Sequence, residues 1–166
     1  SRDDTQAIQW HRKAAEQGST EAQFSLGFIY GNGRGVPQDD AEAVRWYRRA
    51  ADRGDANAQN SLGFMYANGR GVPRDFAEAA SWYRKPGDRG DAAAQYNLGV
   101  AYDLGQGVPR DPVQAYRWYD VAATRFPSSA ADNRAQAVKS RDLIAAKMTP
   151  RQIAEAQRLA QEWTPR

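Results

Sequence analysis

At 166 residues, 41% of them hydrophobic, the chain is long enough for one compact domain or a short repeat array with a packed core. It has no cysteine, which excludes disulfides and thiolate metal sites, and no run approaches the roughly 20 apolar residues that a membrane helix needs. The formal charge is +3, with +4 in residues 125–166 and −1 in the rest; this mildly basic end reads as a solvated helix surface, too sparse for a nucleic-acid site. No signal peptide is visible, and the start at Ser1 predicts a processed or trimmed chain, so its own sequence leaves the question of a targeting segment open.

The organising signal is identity within the chain. GNGRGVPQD (31–39) recurs as ANGRGVPRD (67–75) and DLGQGVPRD (103–111), each offset by 36. Leu26-Gly27 returns as Leu62-Gly63 and Leu98-Gly99, Tyr30 as Tyr66 and Tyr102, and Trp46-Tyr47 as Trp82-Tyr83 and Trp118-Tyr119. One period earlier, Asp3, Trp10 and Gly18 hold the phases of Asp39, Trp46 and Gly54. The chain therefore reads as a single repeat domain over 1–166. It comprises a half repeat (3–18), full repeats at 19–54, 55–90 and 91–126, and a helical cap at 127–166.

In chain order, the half repeat supplies a helix around Trp10 and Ala14. The first full repeat places a helix over 20–31, with Ala22, Leu26, Ile29 and Tyr30 on one face. A second helix covers 40–53, with Ala43, Trp46, Tyr47, Ala50 and Ala51 as its stripe. The corresponding pairs are 56–67 with 76–86, and 92–103 with 112–124. No stripe is covered by its own short helix, so neighbouring helices must stack. Asp39, Asp75 and Asp111 stand at N-cap positions, and Glu42, Glu78 and Gln114 follow at capping-box spacing; such a cap contributes about 1 kcal/mol. Pro112 takes the first helical position, and Gly18, Gly54 and Gly90 close the second helices.

Gly27, Gly63 and Gly99 sit inside the first helices, where glycine costs about 1 kcal/mol relative to alanine. Close approach of the partner helix is the expected compensation, so Gly63→Leu is expected to lower the melting temperature. In the second repeat Pro86 and Gly87 replace two alanines. Proline clashes with the carbonyl four residues back, that of Trp82, so this helix is expected to end or bend near Lys85; the alternative is a proline tolerated in a fraying last turn. Phe126-Pro127 replaces the usual glycine and predicts a change in stacking. A helix over 129–147 follows, with Ala135, Val138 and Leu143-Ile144 as its apolar positions. Thr149, Pro150 and Gln152 then open a last helix whose inner face is Ile153, Ala156, Leu159, Ala160 and Trp163.

The glycine-rich loop is not a phosphate cradle. A phosphate loop follows a strand and offers Lys-Ser/Thr at the helix entrance. This one follows a helix, lacks both residues, and ends on Asp39, whose carboxylate would repel phosphate. The single histidine, His11, holds the phase of Tyr47 and reads as a packing or surface residue. Ser61 and Ser81 have no evident base, and no two-carboxylate site stands out. No catalytic residue, metal ligand or cofactor is expected.

The pattern A-x-x-x-LG-x-x-Y-x-x-G-x-G-V-P-x-D, followed by A-x-x-W-Y-x-x-AA-x-x-G, resembles the SEL-one-like repeat (SLR) family, relatives of the tetratricopeptide repeats. The resemblance covers residues 3 to about 124. It implies an all-α fold: a right-handed superhelical α/α solenoid of antiparallel helix pairs, with a concave groove and a C-terminal helical cap. By analogy with tetratricopeptide repeats, the groove residues are Phe24, Phe28 and Asn32; Asn60, Phe64 and Asn68; and Tyr96, Val100 and Leu104. The alternative for the aromatics is packing between repeats. The implied function is a non-enzymatic scaffold binding a protein or peptide in bacterial envelope or signalling complexes. A glycan- or peptidoglycan-binding envelope module, with or without hydrolytic activity, is the alternative. Nucleic acid and membrane insertion are not expected. Self-association is considered for the half-repeat face around Trp10 and Ala14. The family resemblance favours a periplasmic or secreted setting, with the cytoplasm left open.

Overall fold

The computed structural model describes the backbone of residues 2–166 and the side chains from Gln6 onward. The side chain of Asp3, assigned above to the phase of a cap, lies outside the described residues. Among the described residues all regular structure is helical: α1 (Arg2–Glu16), α2 (Thr20–Asn32), α3 (Asp40–Asp52), α4 (Ala56–Asn68), α5 (Phe76–Asp88), α6 (Ala92–Leu104), α7 (Pro112–Arg125), a 3₁₀ turn (Ser128–Ala130), α8 (Ala131–Ala145) and α9 (Pro150–Gln161). The residues fall into two compact units, Ser1–Asp75 and Phe76–Arg166.

In the first unit, α1, α2, α3 and α4 pack each on the next. Leu26 is fully buried beside Ile8, Ala15, Ala22 and Trp46. Gly27 shows why glycine holds an interior helical position: a Cβ there would lie 2.5 Å from the Tyr47 ring. In the second unit, α5 packs on α6 and α6 on α7, while α8 and α9 both pack on α7. Ala115, Tyr116, Tyr119, Ile144 and Ala156 form its core.

The caps are fuller than the sequence suggests. Ser19, Asp55 and Asp91 open the first helices, accepting from the backbone N–H of Ala22, Ala58 and Ala94. Asp39 accepts from Glu42 N–H, and Asp111 from Val113 and Gln114 N–H. The reciprocal half of the expected box is replaced in these helices. The backbone N–H groups of Asp39, Asp75 and Asp111 donate instead to the carbonyls of Tyr30, Tyr66 and Tyr102, all at 3.0 Å. Within each unit such a bond ties a second helix back to the first, α3 to α2 and α7 to α6. The freed side chains take other partners: Glu42 accepts from the Trp46 indole N–H at 3.0 Å, and Glu78 from that of Trp82 at 2.9 Å. The box at Thr149 and Gln152 forms in both directions.

Buried glutamines make a further tie. Gln23, Gln59 and Gln95 are at most 4% exposed. Their amide N–H groups donate to the carbonyls of Ala15, Ala51 and Gly87 at 3.0, 3.0 and 2.9 Å. Each bond joins a first helix to the end of the helix before it. A buried polar group is stable only with such a partner.

Two expectations need correction. The Pro86 helix does not end near Lys85; α5 runs on to Asp88 with Pro86 inside it. Proline is tolerated in the last turn, the alternative read from the sequence. Its own carbonyl still accepts from Arg89 and Asp91 N–H, as Ala50 accepts from Arg53 and Asp55 N–H. Gly87 fits because a Cβ there would approach Leu98 to 2.9 Å. In α8, Ala135 and Leu143 are exposed, and Ala137 and Ile144 are the buried residues. The apolar stripe of α8 is interrupted by polar residues, so its phase is poorly defined by sequence. Phe126 is buried and closes α7 with φ −59°, outside the left-handed region.

Candidate functional site

The candidate residues project from the first helices and are taken unit by unit. In the first unit, α2 holds Phe24, Phe28 and Asn32, and α4 holds Asn60, Phe64 and Asn68. Phe24 is half-buried, its ring centroid 5.8 Å from that of Tyr47. Phe28 and Phe64 are 39% and 47% exposed, although phenylalanine ordinarily gains by burial. The Arg34 guanidinium lies 4.9 Å from the centre of the Phe28 ring. Asn32 and Asn68 are exposed at the helix ends, and their amide N–H groups donate to the carbonyls of Phe28 and Phe64 at 2.8 and 2.9 Å. One amide donor is therefore already engaged within each helix. Asn60 is half-buried.

In the second unit the same phases fare differently. Tyr96 is half-buried, with its ring 5.4 Å from Tyr119 and its hydroxyl 3.4 Å from Ser140 of α8. Val100 packs on the core that includes Tyr119 and Ile144. Leu104 is 59% exposed. The structure thus groups Phe28 and Phe64 as exposed rings one period apart, and gives Tyr96 and Val100 packing partners.

Charged ties brace the loops. Arg70 makes a two-pronged bond to Asp40, Nε to Oδ2 at 3.0 Å and Nη2 to Oδ1 at 2.6 Å, and reaches the Gly31 carbonyl at 3.0 Å. The Arg70 hydrogen bond, acting against desolvation, holds the Asp40 carboxyl below its ordinary range. Sequence reasoning missed this pair, and also the recurring Arg12, Arg48 and Arg84. Their guanidinium groups donate to the hydroxyls of Tyr30, Tyr66 and Tyr102. The signal was present in the 36-residue spacing of both partners. One period after Arg84 stands Asp120, and α8 brings Arg141 to it at 2.8 Å.

His11 is half-buried and lines a shallow depression with Ile8, Ile29 and Arg34. Among the described residues no group of three His, Cys, Asp or Glu side chains could hold a metal ion, and no helix is long and apolar enough to cross a membrane.

Stacked antiparallel helix pairs, with recurring exposed side chains on the first helix of a pair, define an all-α repeat protein of the scaffold type. The Sel1 repeat pattern matches residues 1–19, 20–55, 56–91 and 92–125, and the chain belongs to the Sel1 repeat family. Members of the family typically mediate protein–protein interaction.

Several solved structures are similar, two of which follow. A protective antigen present in uropathogenic Escherichia coli strains, displaying an SLR fold, is 39% identical with a TM-score of 0.85, over 96% of this chain and 32% of that one. A Sel1 repeat protein from Oxalobacter formigenes is 37% identical with a TM-score of 0.74, over 95% of this chain and 61% of that one. The chain spans about a third of the first and three-fifths of the second. No curated protein matches the sequence.

Proposed function

We propose that this chain is a non-enzymatic adaptor that binds a protein or peptide on the exposed faces of its first helices. The supporting observation is the exposure of Phe28 and Phe64 at equivalent positions, next to Leu26 and Leu62, which are fully buried. Exposed rings supply apolar area for an interface, and the neighbouring asparagines supply polar contacts around it. Phe24, Asn32, Asn60 and Asn68 complete the proposed surface of the first unit. In the second unit Leu104 is the exposed member, with Tyr96 and Val100 supporting it from half-buried positions. An envelope or secreted setting fits a relative described as a protective antigen.

The test is a peptide-display selection against the chain, followed by affinity measurement with a Phe28→Ala/Phe64→Ala variant. The two changes should weaken the selected peptides about tenfold or more, as expected for losing aromatic anchors, and leave the melting temperature nearly unchanged. Undiminished affinity would remove the assignment. Sedimentation with peptidoglycan, in the absence of any peptide binding, would favour the glycan reading instead.

A second surface supports self-association or docking of further repeats. Trp10 is 72% exposed, whereas Trp46 in the same phase is 5% exposed.

A further inference from the structure

In the first unit the exposed side chains of first and second helices differ in kind. On α3 the exposed residues are Ala41, Arg45, Arg49 and Asp52, all but the alanine charged. On α4 they are Asn57, Phe64 and Asn68, and no residue of Ala56–Asn68 carries a charge. On α2 they are Glu21, Phe28 and Asn32, with Glu21 in the first turn as the only charge of the helix. Arg34, just past the end of α2, stacks on Phe28, so this helix and its exit carry one charge of each sign. An exposed helix face is ordinarily kept soluble by charged side chains, whereas loss of charge together with aromatic residues marks the core of a protein interface.

That composition selects an occupant. Positions 57, 61, 64 and 68 share one face of α4 at helical spacing, and Asn60 and Ser61 are half-buried there. A charged side chain brought onto this face loses its hydration and meets no counter-charge, which is costly. An apolar side chain gains contact area on Phe64 instead. The amides add a second requirement. Asn32 and Asn68 each donate one N–H to the carbonyl of Phe28 or Phe64, at 2.8 and 2.9 Å, which holds the amide over the turn that follows the ring. An asparagine has a second N–H and an acceptor oxygen besides. Such a pair matches the carbonyl and N–H of a peptide unit. An extended segment offers these groups, whereas an α-helix uses them internally.

We propose, on the footing of the adaptor function above, that the ligand of this surface is an extended, uncharged peptide segment. Its apolar side chains lie on Phe28 and Phe64, and its peptide groups pair with Asn32 and Asn68. Charged residues of the partner fall outside the contact.

The experiment uses peptides that the chain selects from a random library and that Phe28→Ala/Phe64→Ala weakens. Their shared positions should be depleted of Asp, Glu, Lys and Arg. Their affinity should change less than about twofold between about 50 and about 500 mM sodium chloride. Backbone N-methylation, scanned along each peptide, should weaken binding about tenfold or more at one position at least. That penalty should shrink in Asn32→Ala or Asn68→Ala, each checked for an intact fold by its melting temperature. Enrichment of charged residues, binding about tenfold weaker at the higher salt, tolerance of N-methylation at every position, or a penalty of the same size in both asparagine variants would overturn the proposal and leave the adaptor function standing. A library that yields no such peptide removes the adaptor function itself, and the proposal with it.

Discussion

Gly107→Ala should lower the melting temperature of this protein by roughly 6–12 °C, corresponding to about 3 kcal/mol in a chain of this size. Two costs combine. Gly107 has φ +74°, a left-handed conformation that costs an L-residue about 1–2 kcal/mol. A Cβ there would also lie 2.0 Å from the carbonyl oxygen of Phe76 at the start of α5. That neighbour is helix backbone and cannot turn away, so overpacking adds about 1–3 kcal/mol. Gly105→Ala is the control. Its φ is +67°, but the nearest atom to a Cβ is Arg110 Cβ at 3.3 Å. It should cost clearly less; equal losses at the two positions would show that conformation alone, and not the backbone contact, sets the effect.

Gly99→Ala should destabilise by about 2 kcal/mol, with the sign opposite to that of helix propensity, which favours alanine by about 1 kcal/mol. A Cβ at Gly99 would stand 2.6 Å from Tyr119 Cδ1. Tyr119 is 3% exposed, packed with Tyr96, and has little room to move. The check is a double-mutant cycle measured by chemical denaturation. In a Tyr119→Ala background the added methyl should become neutral or stabilising. A single Gly99→Ala variant at least as stable as the parent would contradict the packing account. The same geometry at Gly27 against Tyr47 predicts the same sign there.

Much of the fold was legible because the repeat states it several times. A 3.6-residue pattern that recurs every 36 residues marks α2 to α7 within a residue or two at each end. Asp39 and Asp111 cap where their side-chain chemistry places them. The capping partners were harder to read. Glu42 sits at box spacing from Asp39, and local sequence cannot show that an indole four residues on competes for it. The buried glutamines were missed for a related reason. Gln is ordinarily a surface residue, and only the carbonyl at the end of the preceding helix makes its burial stable.

By itself the sequence determined the period, the helix pairs, their turns and the family, since these follow from local backbone preference and apolar spacing repeated along the chain. Tertiary structure decided which repeat positions stay available. Phe28 and Phe64 remain exposed, whereas Val100, in the same phase, packs on the core that includes Ile144 of the non-repeating α8. Gln114 looks like a conservative replacement for Glu42, yet it leaves Trp118 and Arg117 with unpaired donors. Periodicity reports which face of a helix is apolar; what covers that face depends on elements distant in the chain, and these lie outside the repeat.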